Sequence, residues 1–190
     1  MVPPDRLTSE GAALLVVDVQ EKLVHRLRFG PLVIANSHRL VVAARVLQIP
    51  VFATEQYPKG LGPTIDSLAE LIPERPAKTT FHCAGAPGLL ASLADANVRH
   101  VTLVGIEAHV CVLQTALELL KLGFRVQIPA DAVASRARMD WEFALRRLEH
   151  SGVTVTTSEA VLFEWTERSD HPEFKAISAL VKDFVPPSPA

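Results

Sequence analysis

Five short apolar segments recur along the chain and are separated by longer amphipathic stretches. The short segments are rich in β-branched residues, and their apolar positions are continuous rather than alternating. That pattern is typical of strands that are buried on both faces of a parallel sheet. The predicted strands span residues 12–17, 51–53, 101–104, 125–128 and 153–156.

Helical periodicity fills the intervals between the predicted strands. The predicted helices span residues 31–47, 87–96, 112–122, 138–150 and 173–183. Gly123 follows the third of them, where a glycine commonly ends a helix. The segment 56–80 is rich in Pro and Gly and predicts loops around one short helix near 65–71. Alternating strands and helices are typical of right-handed βαβ units. The sequence therefore predicts an α/β protein with a three-layer α/β/α Rossmann-like fold and a mainly parallel sheet of about six strands.

Composition narrows the classes of function. The 190 residues include 19 basic and 21 acidic side chains, a net charge of −2, without the basic surplus that nucleic-acid binding favours. The longest apolar runs have about six residues, against the roughly 20 that a membrane-spanning helix needs. Cys83 and Cys111 are too few for a disulfide framework, and the first residues lack the pattern of a signal peptide. We therefore expect a cytoplasmic protein with no nucleic acid and no membrane as partner.

The residues directly after the predicted strands are the candidates for chemistry, because ligands bind beyond the carboxyl ends of parallel strands. Asp18 ends the run LLVVD, where desolvation would raise its pKa and suit it to proton transfer. Its alternative role is a helix N-cap. Cys111 opens a predicted helix, whose free N–H groups favour a thiolate and can hold an oxyanion. Its alternative is a small buried thiol that packs as an apolar side chain.

Lys78 is the third candidate, in the stretch Pro-Ala-Lys-Thr-Thr-Phe that begins at residue 76. A lysine in such a place is commonly solvated. Beside a thiol and a carboxylate, its charge would instead lower the pKa of the thiol and keep the carboxylate ionised.

Competing motifs do not occur in the chain. It has no G-x-S-x-G nucleophile elbow, and no G-x-G-x-x-G or G-x-x-x-x-G-K-[ST] loop follows a predicted strand. His82, Cys83 and His109 are residue types that bind metals, but their spacing does not indicate a metal site.

Three segments together resemble a known enzyme family. Asp18 in LLVVDVQ, Lys78 in AKTTF and Cys111 in VGIEAHVCVLQTALELLKLG resemble the Asp–Lys–Cys triad of the isochorismatase-like cysteine hydrolases in order and in strand-end position. The segment TEQYPKGLGPT, which begins at Thr54, is similar to the metal-free subgroup named isochorismatase-domain-containing proteins. The resemblance covers residues 12–169 and implies a single hydrolase domain over 1–190.

This resemblance implies a mechanism and a set of site residues. Cys111 would attack the carbonyl of a small amide, Asp18 would take the thiol proton and later protonate the leaving amine, and Lys78 would stabilise the ionised groups. The N–H groups of Glu107 and Cys111 would form the oxyanion hole, beside a cis peptide bond between Ile106 and Glu107. The expected substrate pocket is small and largely apolar, with the candidate residues Gln20, Leu23, Tyr57, Phe81 and Leu113.

The resemblance also implies what the protein lacks. Metal-binding nicotinamidases of this family carry an Asp-x-His pair and a further His in the loop after strand two, where this chain has Glu55 and Tyr57. We therefore expect no metal, no other cofactor and a substrate other than nicotinamide. Isochorismatases proper cleave a vinyl ether and lack the nucleophile that Cys111 would provide, so that reaction is not expected either.

Two classes of function remain open at this point. One is a cofactor-free thiol hydrolase for a small amide or related acyl compound, and the other is a binding or scaffold protein that keeps the fold without turnover. The resemblance also implies a homo-oligomer, a dimer or a larger assembly. Apolar residues on the helix of Trp141 and in the segment 163–165 are candidates for its contact, unless both tryptophans belong to the core of the monomer.

Overall fold

The computed structural model describes residues 6–188, in which seven strands form one sheet with parallel pairing throughout. The strands are β1 (Ala12–Val17), β2 (Val51–Gln56), β3 (Ala77–Lys78), β4 (His100–Ile106), β5 (Arg125–Pro129), β6 (Val133–Ala134) and β7 (Thr154–Thr156). Their order is β3-β2-β1-β4-β5-β7, and β6 pairs with the carboxyl end of β4. The predicted parallel α/β sheet is confirmed, with seven strands where about six were expected.

Helices connect the strands and cover the sheet. They are α1 (Glu21–Val24), α2 (Gly30–Val46), α3 (Pro58–Leu61), α4 (Asp66–Ala69), α5 (Leu89–Asp95), α6 (Leu113–Lys121), α7 (Arg138–His150), α8 (Ser158–Thr166) and α9 (Phe174–Lys182). A π-helical turn, Ala108–Val112, leads directly into α6. None of the helices in the described range is long and apolar enough to cross a lipid bilayer.

The two faces of the sheet bury separate apolar cores, which explains the continuous apolar strands. In β1, Leu14 and Val16 pack with residues of α2, α8 and α9, whereas Leu15 and Val17 pack with residues of α5, α6 and α7. Successive side chains of a strand point to opposite faces, so a strand covered on both sides must be apolar at every position. The three-layer architecture is thereby confirmed.

Five of these strands and helices were not predicted: β3, β6, α1, α3 and α8. The strands β3 and β6 have two residues each, too few for a periodicity to register. Helix α8 begins after Thr157, whose hydroxyl accepts a hydrogen bond from the Ala160 N–H group, and this N-cap was a usable signal. Because α8 places Trp165 fully inside the core, that tryptophan belongs to the monomer.

Candidate active site

The candidate residues converge because they come from four strands that are neighbours in the sheet. Lys78 ends β3, Thr54 and Gln56 lie in β2, Asp18 follows β1, and Cys111 lies in the π-helical turn after β4. Since these strands are parallel, their carboxyl ends meet at one edge. The strand-end position of Asp18 and Cys111 was predicted, whereas the arrival of Lys78 depends on the short strand β3.

Gly105 allows β4 to approach β1 closely beside this edge. It lies opposite Val17, it has a φ of +116°, and a Cβ atom at this position would lie 2.1 Å from the Val17 carbonyl oxygen. Only glycine has no side chain to clash there and adopts such a φ without strain. The close approach brings the turn that carries Cys111 next to Asp18, the residue that follows Val17.

A buried ion pair forms the centre of the site. Lys78 Nζ donates a hydrogen bond to Asp18 Oδ2 at 2.7 Å, and both side chains are 0% exposed. The same ammonium group donates to Gln56 Oε1 at 2.7 Å and to the carbonyl oxygens of Thr80 and Phe81 at 3.3 and 3.2 Å. Lys78 is therefore not a solvated lysine. Asp18 does not cap a helix either, since Gln20 occupies the N-cap position of α1.

Thr54 holds the other oxygen of the Asp18 carboxylate. Its hydroxyl donates to Asp18 Oδ1 at 2.8 Å and also lies 3.2 Å from Cys83 Sγ. Cys83 is fully buried, and its backbone N–H group donates to Thr115 Oγ1 at 2.9 Å. Both carboxylate oxygens of Asp18 are thus engaged by donors on β2 and β3.

The Cys111 thiol and the Asp18 carboxyl group are near enough for each to shift the pKa of the other. Burial and the nearby Asp18 charge raise the pKa of Cys111 well above its ordinary value, and the Lys78 charge only partly opposes them. The expectation that the helix N-terminus favours a thiolate is therefore wrong for this conformation, because desolvation outweighs it. Cys111 is 6% exposed and belongs to one of the apolar cores, so its side chain also contributes to packing.

Burial raises the pKa of Asp18, while Lys78 and the hydrogen bond from Thr54 lower it. This was the predicted direction for a carboxylate at the buried end of a strand. A raised carboxyl pKa beside a protonated thiol is an arrangement that can exchange a proton in either direction.

Glu107 begins the turn that carries Cys111. The peptide bond between Ile106 and Glu107 is cis, as the resemblance implied. The Glu107 carboxylate pairs with Arg136 Nε at 2.9 Å and lies 3.6 Å from His109 Nδ1, which also contacts Ser135 Oγ at 2.9 Å. These contacts tie the turn to the segment before α7.

A known protein family matches the segment of the chain that contains Asp18, Lys78 and Cys111. Residues 12–160 match the family described as the isochorismatase domain. The chain belongs to the isochorismatase domain family. Membership in this family supports a hydrolytic function.

Individual isochorismatase relatives cover nearly the whole chain. It is 38% identical over 182 residues to isochorismatase domain-containing protein 2 of Rattus norvegicus. The aligned region covers 95% of this chain and 86% of the relative. It is 43% identical to a Caenorhabditis elegans structure titled MAR1 ribonuclease, with a TM-score of 0.90 and coverage of 97% and 96% of the two chains. The ycaC gene product of Escherichia coli, described as an octameric hydrolase of unknown specificity, shares the fold with a TM-score of 0.86 at 21% identity, over 98% and 94% of the two chains.

The five predicted pocket residues of this isochorismatase-family protein differ in exposure and in the apolar core that they contact. The side chains of Tyr57 and Phe81 are 57% and 51% exposed. The backbone of each is hydrogen-bonded to Lys78: the Tyr57 N–H group donates to the Lys78 carbonyl oxygen, and Lys78 Nζ donates to the Phe81 carbonyl oxygen. Leu113 is buried in the core that contains Cys111, whereas Leu23 packs against the opposite core.

Gln20, the remaining candidate pocket residue, makes hydrogen bonds with β2 and with the loop after it. It is fully buried, its amide donates to the carbonyl oxygens of Gln56 and Gly62, and its own oxygen accepts from the Gln56 N–H group at 2.7 Å. These bonds attach β2 and the loop after it to the residues that follow Asp18. Gln20 therefore organises the loop and presents no free amide group to an open pocket.

Three residues near the ion pair were not selected from the sequence: Thr54, Gln56 and Cys83. Thr54 and Gln56 lie at the carboxyl end of β2, a position that the strand-end rule indicates. Cys83 lies on the loop after β3 and has no local signal.

The metal-ligand residue types are arranged for other contacts. Glu55 accepts hydrogen bonds from Thr64 and from Arg75. Within residues 6–188, no group of three or more His, Cys, Asp or Glu side chains has an arrangement that could hold a metal ion.

Proposed function

We propose that this protein is a cofactor-free cysteine hydrolase that acts on a small amide or a related acyl compound, with Asp18, Lys78 and Cys111 as its catalytic triad. The observation that carries the proposal is the buried Asp18–Lys78 ion pair, whose charges both act on the pKa of the Cys111 thiol. A nucleophile, a base that contacts it and a third group that orients the base are the combination that covalent catalysis requires.

The proposed reaction passes through a thioester. Asp18 takes the proton of the Cys111 thiol while the sulfur forms a bond to the substrate carbonyl carbon. The N–H groups of Glu107 and Cys111 hold the resulting oxyanion. The C–N bond then breaks as Asp18 returns its proton to the leaving amine. A water molecule next gives a proton to Asp18 and its oxygen to the thioester carbon. The C–S bond breaks, the sulfur recovers the proton, and a carboxylic acid is released.

Proton transfer during attack suits the charge state of this site. Because the pKa of Cys111 is raised, the thiol is protonated in the resting protein and Asp18 must remove its proton as the C–S bond forms. Assistance of this kind accelerates a reaction by about 10²–10⁴-fold. Lys78 opposes the rise in the pKa of Asp18 that burial causes.

The proposed pocket selects small and largely apolar substrates. The candidates for its lining are the exposed aromatic side chains of Tyr57 and Phe81 and the buried Leu113, which shares a core with Cys111. Leu23, the remaining candidate, packs against the other core. The polar groups at the base of the site are engaged with one another, so an acyl group of limited size would reach Cys111 and little else.

The deciding experiment is a panel of small amides assayed for release of ammonia or amine, with Cys111→Ser as the inactive control. We expect turnover in the wild type, no turnover in Cys111→Ser, and a Cys111 acyl adduct in the mass spectrum of the wild type.

Treatment with EDTA should leave the rate of hydrolysis unchanged. Loss of activity with EDTA, followed by recovery with zinc, would refute a metal-free mechanism. A folded wild type that forms no adduct with any amide would favour the binding or scaffold function instead.

A ribonuclease is the second candidate function, because a relative with 43% identity bears that name. A ribonuclease must bind phosphate, yet Lys78 at this site is already paired with Asp18, and the net charge of the chain is −2. An RNA arm therefore belongs in the same panel. Cleavage of RNA that Cys111→Ser abolishes would replace the amidase proposal.

We also propose a cytoplasmic homo-oligomer. Both cysteines are free, as expected in a reducing compartment. Met139 and Phe143 on α7 are 68% and 59% exposed and supply an apolar surface, while Trp141 donates its indole N–H group to the Val133 carbonyl oxygen within the monomer.

A further inference from the structure

A chain of three side chains runs behind the catalytic carboxylate. It begins at Cys83, passes through Thr54 and ends at Asp18 Oδ1, with distances of 3.2 and 2.8 Å between successive polar atoms. All three side chains are buried. Thr115 anchors the far end, because it accepts the backbone N–H group of Cys83 and belongs to α6, the helix that follows Cys111.

The direction of this chain follows from counting protons. A threonine hydroxyl has one proton to donate, and Thr54 donates it to Asp18. The Thr54 oxygen can therefore only accept from Cys83, so Cys83 acts as an S–H donor. Burial raises the pKa of Cys83 to about 11, which agrees with a protonated thiol at neutral pH.

We propose that Thr54 and Cys83 are positioning residues, which act through Asp18 to keep its carboxylate ionised and turned toward the Cys111 thiol. The inference concerns the state of Asp18, and its catalytic consequence rests on the proposed function. Thr54 donates to Oδ1 and Lys78 donates to Oδ2, so rotation of the carboxylate would break two hydrogen bonds. Cys83 in turn fixes the orientation of the Thr54 hydroxyl.

Three titratable groups face Asp18 in the described part of the chain: Lys78 at the end of β3, Cys83 in the turn beyond it and Cys111 after β4. Among the neutral neighbours, Thr54 donates directly to the carboxylate and lowers its pKa. A hydrogen bond to the charged form of an acid stabilises that form. Removal of the Thr54 hydroxyl should therefore raise the pKa of Asp18.

The experiment is a pH titration of the side-chain carboxyl carbon of Asp18 in protein labelled with ¹³C-aspartate, with the signal assigned by its absence in Asp18→Asn. Thr54→Val replaces the hydroxyl with a methyl group of similar size, and its Asp18 midpoint should rise by about one pH unit. Thr54→Ser retains the hydroxyl and should titrate within a few tenths of a unit of wild type. Cys83→Ala should give a smaller rise than Thr54→Val, and Cys83→Ser, which retains a donor, should reverse it.

Matched midpoints in wild type and Thr54→Val would overturn the inference. If Thr54→Val does not fold, the pair Thr54→Ala and Thr54→Ser makes the same comparison, since its members differ only by the hydroxyl. A purely structural role would lower the urea midpoint of unfolding without moving the Asp18 titration, and that result also refutes the inference.

The titration uses no substrate, so its outcome is separate from the proposed function. A raised Asp18 midpoint without hydrolysis of any amide supports the positioning residues and refutes the hydrolase. Amide hydrolysis with unchanged midpoints, and with the same kcat in Thr54→Val as in wild type, refutes the positioning residues alone.

Discussion

At the scale of single residues, the charge of Asp18 has two opposite effects on Cys111. In the proposed reaction the carboxylate accepts the thiol proton during attack, yet its negative charge raises the pKa of that same thiol. Turnover and simple alkylation should therefore respond differently when the charge is removed, because only turnover needs a base.

The substitution Asp18→Asn makes this difference measurable. The pKa of Cys111 should fall, since Asp18 raises it and the remaining Lys78 charge lowers it. Each unit of decrease raises the thiolate fraction about tenfold and lowers its nucleophilicity about threefold, so alkylation by iodoacetamide at pH 8 should be about threefold faster per unit. Amide turnover should fall by about 10²–10⁴-fold. Slower alkylation in Asp18→Asn would show instead that the charge of Asp18 does not suppress the thiolate.

Lys78 carries the second residue-scale prediction. In Lys78→Ala, the Asp18 carboxylate would be buried without its cation, and breaking a buried pair costs about 3–5 kcal/mol of unfolding free energy. Lys121→Ala is the matched control, because the pair of Lys121 with Glu118 is mostly exposed and such pairs contribute about 0–1 kcal/mol. Urea unfolding at pH 7 measures both values. Equal losses in the two variants would contradict a structural role for the buried ion pair.

At the scale of secondary-structure elements, the site depends on how closely β1 and β4 approach. Their register places Gly105 against Val17, directly before Asp18. The π-helical turn after β4 then continues into α6 and directs Cys111 toward the same edge. A disturbance of this strand pair should therefore affect stability and the active site together.

The substitution Gly105→Ala tests that dependence. The added Cβ would collide with the Val17 carbonyl oxygen, and the alanine would have to adopt a φ of +116°. We therefore expect a loss of about 3 kcal/mol or more in unfolding free energy. Gly123→Ala is the control, since its φ is +90° but no heavy atom lies within 4 Å of the added Cβ, and we expect a loss of about 1–2 kcal/mol. Similar losses by urea unfolding would mean that the strands separate without cost.

At the scale of the whole molecule, α7 carries two of the most exposed apolar side chains in the described part of the chain and is the candidate surface for the proposed oligomer. Met139 and Phe143 point outward, while Ala144 and Leu148 of the same helix are buried against the sheet. Trp165 is buried in one core and Trp141 packs against the other. The exposed candidates for the contact are therefore Met139 and Phe143 on the helix of Trp141 and Phe163 in the segment 163–165.

Light scattering at micromolar concentration should give a mass that is a multiple of 20.7 kDa. The double substitution Met139→Glu/Phe143→Glu should reduce the mass to that of the monomer, because a charged contact loses its apolar burial. Lys121→Glu, an exposed change on another helix, should leave the mass unchanged. A monomeric wild type would refute the oligomer, and an unaltered mass in the double variant would refute α7 as the contact.

Much of the architecture was predictable because a strand that is buried on both faces has a continuous run of apolar residues in its own sequence. Residues 12–17 are apolar at every position since β1 is covered on both faces, and no distant information is needed to recognise this pattern. The ends of such strands then indicated Asp18 and Cys111, whereas Lys78 was chosen over its alternative as a solvated lysine only through the family resemblance. By contrast, β3 and β6 exist only through pairing with β2 and β4, so two-residue segments carried no signal of their own.

The sequence alone therefore determined the fold class, the edge of the sheet where the candidate residues meet and the residue types that lie there. Only the tertiary structure decided how these residues affect one another. Thr54 meets Asp18 and Cys83 across separations of 36 and 29 residues, which no local pattern encodes. The sign of the pKa change at Cys111 was likewise decided by burial and by Asp18, because electrostatic effects depend on distance and solvent exclusion in the folded molecule.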